Sequence, residues 1–373
     1  MAISTFEIVT RRANSLIDWK SDSLFVMACK ADSRIGEVVV VSAADEGYAL
    51  PLAVTIRSAL TNLHPARHMR LYVLDGGLSD ESKSRLLRSW DTNRLTVDWI
   101  APERAHVEGL EISRHVNLVT YFRLLMPLVL PPHVTRAIYL DADLLVRGDL
   151  AHLWDKPQAG MACLAVADTA APSIDASLAL PSFASCRRYL AAERPIANYG
   201  ELGLDPAGRY LNGGVMVVDI ERWRAESMAE RMLHCLREHR QHVRWWDQYA
   251  LNVVLAGQWR ELDPRWNQGA HAYTFPTWQE SPFDQTTFSA LRRDPWIVHF
   301  TSRNKPWHYF CRHPFREQFL ATVDETQWRG WRPMPPANNR LRQWWSYRFA
   351  PVRQWWKVCS TRASLLAARA PRM

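Results

Sequence analysis

The sequence predicts an α/β fold built on a doubly wound, mostly parallel sheet, and three observations carry that prediction. Short continuous apolar runs, EVVVVSAA, MACLAVAD and GGVMVVDI among them, recur along the chain, as expected of strands buried on both faces. Helical stretches alternate with these runs. Carboxylates stand just past several of them, Asp45 after the first, Asp141 and Asp143 after a middle one and Asp168 after the next, where open α/β sheets bind their ligands.

The regular pattern starts at Glu37, and residues 1–36 read as an N-terminal extension without assigned chemistry. EVVVVSAA leads into a helix from Tyr48 to about Leu63. A second strand, RLYVLDGG, precedes SDESKSRLLRSW, in which Ser79 is placed to cap a helix whose first turn is acidic. LTVDWIA, a helix near 119–128 and the AIYLDADLLV strand follow, and Asp149 stands where it can cap the helix LAHLW. GGVMVVDI then runs into the helical ERWRAESMAERMLHCLREHR. Pro333, Pro335 and Pro336 in PMPPANN leave little room for regular structure, so the core is expected over 37–333 and a tail over 334–373.

Composition narrows the function classes. The 373 residues are 47% hydrophobic and 23% charged, enough for a large core, and no run reaches the roughly 18 apolar residues of a membrane span. MAISTFEIVTRRANSLIDWK lacks the uninterrupted apolar centre of a signal peptide, so the protein is expected on the cytoplasmic side. Cys29, Cys163, Cys186, Cys235, Cys311 and Cys359 form no CxxC pair and read as reduced, mostly buried thiols without a structural zinc. The net charge is +8, and no acidic residue follows Glu325. The tail adds Trp344, Trp345, Trp355 and Trp356 to its arginines, which suits an anionic membrane surface, here the inner face of the cytoplasmic membrane. Nucleic acid would suit such a tail too, but no core motif supports it and none is expected as a partner.

The chemistry centres on IYLDADLLVRGD. On a strand, residues two apart face the same side, and two carboxylates about 6 Å apart at an effective dielectric near 20 repel by roughly 3 kcal/mol. Asp141 and Asp143 therefore require a compensating cation, a raised pKa or a third party. SAADEGYALP at 42–51 and IVHFTSRNKPWH at 297–308 could converge with them. Two carboxylates alone suit Mg²⁺ or Ca²⁺, and the imidazole of His299 tilts the set toward a transition ion such as Mn²⁺. The bland readings are an Asp143 to Arg147 ion pair, a satisfied core histidine at His299 and a solvated Lys305.

The stretches VVVSAADEGYA, SRHVNLVTYFRLLMP, YLDADLLVRGDLAHLW, YLNGGVMVVDIERWR, WWDQYALN and HFTSRNKPWH match, in order and spacing, the retaining glycosyltransferases of family 8. The resemblance covers about residues 37–333, and it implies a single nucleotide-sugar domain of the GT-A type. It further implies that Asp141, Asp143 and His299 bind Mn²⁺, with Mg²⁺ as a substitute, and that the cation bridges the diphosphate of a UDP-hexose. Ala43, Ala44, Asp45 and Tyr48 match the uridine loop, Ala142 lies at the ribose, and Arg123 orients the donor. Lys305 matches the lysine on the diphosphate, in a loop that includes Thr301. Asn212, Asp247 and Gln248 match residues around the transferred sugar, with Gln248 and Asp247 as the catalytic pair that supports an oxocarbenium-like centre. The implied activity is transfer of galactose or glucose to a glycan or lipid-linked saccharide, as in lipopolysaccharide assembly. Tyr48, Asn212 and Gln248 read alternatively as packing residues, Arg123 as an ordinary ion pair and Asp168 as a strand-end cap. The chain departs from the family pattern at Ser302, where glycine is common and a hydroxyl offers a replacement hydrogen bond, and at Gly47, where asparagine is common. The competing reading is a non-catalytic sugar-nucleotide binder or scaffold that keeps the fold.

Overall fold

The computed structural model describes residues 36–111 and 118–335. The extension up to residue 35, the SRHVN stretch, the tail from residue 336, Cys29 and Cys359 lie outside the described residues.

Among the described residues, ten strands form two sheets: β1 (Glu37–Ala44), β2 (His68–Asp75), β3 (Leu95–Ile100), β4 (Arg136–Leu140), β5 (Leu144–Val146), β6 (Cys163–Ala167), β7 (Leu211–Asp219), β8 (Trp259–Glu261), β9 (Gln268–Gly269) and β10 (Ile297–His299). The larger sheet runs β3-β2-β1-β4-β7-β6-β8, and a smaller one runs β5-β10-β9. All strands of the larger sheet are parallel to their neighbours except β7, which opposes both β4 and β6. The expected mostly parallel α/β sheet is thus observed.

The apolar runs are continuous because both faces are covered. Val40, Ile138 and Val217 pack on one face, with Leu52 and Ile56 of the helix Ala49–Asn62. Their neighbours Val41, Tyr139 and Val218 pack on the other, against Leu233 and Leu236 of Met228–Glu238 and Leu251 of Trp246–Val254. Each fully buried aliphatic side chain contributes roughly 1.5–3 kcal/mol, so the two faces hold the sheet and leave its rim free to be polar.

Both expected helix caps form, while two helices differ from the sequence reading. Ser79 caps Asp80–Leu87 by accepting from Ser82 N, and Asp149 caps Leu150–Trp154 by accepting from Ala151 N. The helix expected near 119–128 is instead a 3₁₀ stretch, Leu118–Leu125, followed by one α turn, Met126–Val129. Pro127 lacks the N–H that would bond the Arg123 carbonyl in an α-helix. The long helix after β7 is two, Ile220–Ala225 and Met228–Glu238, with Ser227 between them at φ 49°. Cys163, Cys186, Cys235 and Cys311 are free and buried. Among the described residues, no helix is long and apolar enough to cross a membrane.

Candidate active site

Asp141 and Asp143 do not lie on a strand; they occupy the link between β4 and β5. Strand alternation is therefore not what makes them neighbours. Asp141 N donates to Gly214 O at 2.8 Å, which holds the link against β7. The buried hydroxyl of Thr55 accepts from Leu144 N (3.1 Å) and donates to Ala142 O (2.8 Å), pinning the other end. Antiparallel pairing of β10 with β5 sets His299 opposite Leu144. His299 Nε2 comes to 3.5 Å from Asp141 Oδ2 and 3.3 Å from Asp143 Oδ1, and one ligand atom from each of the three residues lies within 4.8 Å of the others.

Each carboxylate has its own cation. Lys305 Nζ stands 2.6 Å from Asp143 Oδ2 and donates to Phe300 O at 2.6 Å. Arg147, the partner weighed for Asp143, donates to Pro295 O and reaches Asp294 instead. Burial alone would raise the Asp143 carboxyl, but Lys305 and then His299 outweigh it and hold the group well below the usual carboxylate range. Arg123 Nη2 is 2.8 Å from Asp141 Oδ1, and Nη1 donates to Gly213 O at 2.7 Å. Its guanidinium lies 4.8 Å from the centroid of the Tyr139 ring. Asp247 Oδ2 is 3.0 Å from Arg123 Nε, yet that N–H donates to Thr120 O. Burial pushes Asp247 up to about 6 against the pull of Arg123, and Asp141 adds to the rise.

One cavity brings together Ala43, Ala44, Asp45, Tyr48, Arg123, Asp141, Ala142, Asp143 and Lys305. Asp45 caps a 3₁₀ turn by accepting from Tyr48 N at 3.2 Å, and the Tyr48 ring meets Trp307 edge-on at 5.7 Å. Asn212, Asp247, Gln248 and Thr301 lie beside this cavity's lining rather than in it. Asp168 Oδ2 accepts from both Asn212 Nδ2 (2.7 Å) and Gln248 Nε2 (2.9 Å), while Oδ1 caps the strand end by accepting from Ala170 N (2.7 Å). Gln248 Oε1 lies 3.4 Å from Gly213 N, and Thr301 Oγ1 accepts from Ala270 N at 3.0 Å. Ser302 Oγ donates to Asn304 O at 3.0 Å, so its hydroxyl is turned within the loop.

The model of the family described as "Glycosyl transferase family 8" matches residues 39–311. The chain belongs to glycosyl transferase family 8. Among its relatives is the General stress protein A of Bacillus subtilis, 29% identical over 78% of this chain and 94% of the relative. The lipopolysaccharide 1,2-glucosyltransferase of Escherichia coli is 22% identical over 76% of this chain and 77% of its own length. The crystal structure of the galactosyltransferase LgtC with donor and acceptor sugar analogs shares the fold, with a TM-score of 0.64 at 21% identity, over 81% of this chain and 99% of that one.

As a family 8 member this chain is a glycosyl-transferring enzyme of the GT-A type, and that fold implies a nucleotide-sugar donor and a glycan acceptor. The donor set fits a divalent metal: two carboxylate oxygens and an imidazole nitrogen face one point, with oxygens that suit hard ions. Gly214 preserves the space. A Cβ there would lie 2.7 Å from His299 Nδ1 and 2.8 Å from Asp141 Oδ2, so any side chain would displace two of the three candidate ligands.

Asn267 has no counterpart in the sequence reading. It ends the 3₁₀ turn Pro264–Asn267, is 3% exposed, and its Oδ1 faces His299 Nδ1 at 2.9 Å. An isolated asparagine between Trp266 and Gln268 carries no motif, and only the fold brings it to the histidine.

Proposed function

We propose that this enzyme transfers a hexose, galactose or glucose, from a UDP-sugar to a glycan or lipid-linked saccharide with retention of configuration, using Mn²⁺. The observation that carries the reading is the meeting of Asp141, Asp143 and His299 with Lys305 against Asp143. The mixed carboxylate and imidazole set favours Mn²⁺, with Mg²⁺ as a weaker substitute. When bound, the cation supplies positive charge to the diphosphate as the anomeric C–O bond breaks.

The chain's own residues do the rest. Lys305 is placed to turn its ammonium from Asp143 to a phosphate oxygen as charge develops there. Arg123, locked between Asp141 and Asp247, keeps the donor-side charges in place. Ala43, Ala44, Asp45 and Tyr48 form the wall for uridine, with Ala142 at the ribose, and Thr301 sits in the loop over the diphosphate. Asn212, Asp247 and Gln248 surround the sugar. Gln248 spends Nε2 on Asp168, so its carbonyl oxygen, which accepts one long bond from Gly213 N at 3.4 Å and keeps a second lone pair, is the group that would face an electron-poor anomeric carbon. An amide is a poor nucleophile, and Asp247 is buried against Arg123, so a covalent glycosyl-enzyme of the glycosidase kind is disfavoured. The acceptor hydroxyl attacks from the face that the diphosphate leaves. Its oxygen bonds the anomeric carbon, the C–O electron pair departs with the phosphate oxygen, and the hydroxyl proton follows to that oxygen.

The basic, tryptophan-rich tail, residues 334–373, would hold the enzyme on the inner face of the cytoplasmic membrane, next to a lipid-linked acceptor of the lipopolysaccharide type. The E. coli relative, a lipopolysaccharide 1,2-glucosyltransferase, supports that acceptor class.

The test is UDP release from a panel of UDP-sugars with Mn²⁺, with and without saccharide acceptors. Release that requires Mn²⁺ and falls at least about a hundredfold in Asp143→Ala is expected; release from no donor, or unchanged release in that variant, sinks the proposal. Donor binding without turnover would favour the scaffold reading. Removing residues 338–373 is expected to abolish binding to anionic vesicles, and retained binding would place the anchor elsewhere.

A further inference from the structure

Four side chains from four separate segments, Asp168, Asn212, Asn267 and His299, form one hydrogen-bonded line. Asp168 Oδ2 meets Asn212 Nδ2 at 2.7 Å, Asn212 Oδ1 meets Asn267 Nδ2 at 2.9 Å, and Asn267 Oδ1 meets His299 Nδ1 at 2.9 Å. An asparagine amide can be turned end for end, so two amides in series could carry either polarity. Two groups that cannot be reversed decide the matter. The Asp168 carboxylate only accepts, and the Gly214 backbone N–H, 2.9 Å from Asn212 Oδ1, only donates. Asn212 is thus held from both ends, with nitrogen toward Asp168 and oxygen toward Gly214. Asn267 must offer its nitrogen to that oxygen, and its own oxygen is left to face the imidazole.

From this we infer that Asn267 is a positioning residue that holds His299 as its Nδ1–H tautomer, with Asp168 setting the direction through Asn212, so that Nε2 presents its lone pair to a divalent cation. The inference rests on the reading of Asp141, Asp143 and His299 as a cation site. An acceptor facing Nδ1 requires the proton on Nδ1. Nε2, 3.5 and 3.3 Å from Asp141 and Asp143 oxygens, would otherwise take the proton and donate it to those carboxylates. The amide line opposes that outcome and spares the cation the cost of evicting a proton. The Asp168 oxygen that starts the line also accepts from Gln248 Nε2, so one carboxylate orients both the metal ligand and an amide assigned to the sugar.

The direct test is ¹⁵N NMR of the histidine rings in the metal-free wild-type protein at alkaline pH. The Nδ1–H form of His299 is expected, and the Nε2–H form would overturn the inference without recourse to any variant. Titration of Mn²⁺ into Asn267→Leu is expected to show affinity weaker by about 10–100-fold, with Asn267→Asp, which keeps an acceptor toward the ring, recovering the Nδ1–H form and part of the affinity. An Asn267→Leu protein that melts like the wild type and binds Mn²⁺ equally well would overturn it too. Wild-type protein that shows Nδ1–H but binds no Mn²⁺ would instead defeat the metal reading of the site and leave the tautomer assignment standing.

Discussion

Arg123, packed behind the larger sheet, and Lys305, on the loop after the smaller one, neutralise neighbouring carboxylates under opposite conditions. The arginine side chain is 9% exposed and meets Asp141, Asp247, Gly213 O and Thr120 O with a ring stacked beneath it. The lysine side chain is 17% exposed and meets Asp143 and Phe300 O. A planar guanidinium held by several fixed acceptors stays where it is, whereas an ammonium on a flexible stem can exchange one anion for another. The 3₁₀ stretch Leu118–Leu125 therefore contributes a permanent charge and the loop after β10 a transferable one, which suits a reaction in which negative charge appears on a departing group.

Substitution should separate the two. Arg123→Met leaves Asp141 and Asp247 facing each other without their cation, and a loss of roughly 3–5 kcal/mol in denaturant unfolding is expected; a loss under about 1 kcal/mol would mean that the arginine is not structural. On the smaller-sheet side, His313 packs edge-on against Phe300 and Tyr273, with its Nε2 buried and unpartnered. Burial lowers its pKa from 6.5 to about 4. The unfolded state thus takes up the proton first, so stability is full above pH 6.5 and drains as pH falls from 6.5 to 4, by up to about 3 kcal/mol. His313→Phe should flatten that part of the profile, and an unchanged slope would assign it to other groups.

Gly214→Ala tests the seam between the sheets. Overpacking there is expected to cost about 1–3 kcal/mol and to remove Mn²⁺ binding measured by calorimetry, whereas binding at wild-type affinity would show that the ligands can retreat. The smallest effect on folding belongs to Lys305→Met, about 1–2 kcal/mol, together with a fall in turnover of roughly 10²–10³. Equal losses of stability in Arg123→Met and Lys305→Met would break the distinction between fixed and transferable charge.

The two sheets also differ in how well they can be read from sequence. Runs such as EVVVVSAA and GGVMVVDI announce β1 and β7 because they are long enough to show burial on both faces. β9, with two residues, carries no period at all, and β5, with three, carries almost none; in the larger sheet the edge strand β8 is as short and as hard to read. The meeting of Asp141, Asp143 and His299 was legible through the resemblance, which names His299 far along the chain from the two carboxylates. Asp168 showed itself as a strand-end carboxylate, and its capping bond to Ala170 is real, but its second oxygen's hold on two amides depends on where Asn212 and Gln248 arrive in space. Asn267 was illegible for the same reason. The reversal of β7, which delivers Asn212 at the start of a strand rather than past its end, follows from topology and not from any residue pattern.

The antiparallel pairing of β5 with β10 joins Leu144–Val146 to Ile297–His299, and this sets a schedule for the newborn chain. At roughly 5–20 residues per second, a ribosome makes Asp143 on the order of ten seconds before it makes His299 and Lys305. Arg123 is already present to cover Asp141 in that interval, while Asp143 has neither of its partners and must stay wet. A chain released at residue 290 would contain every strand of the larger sheet and lack His299, so the proposed cation site is among the last features the protein completes during its own synthesis.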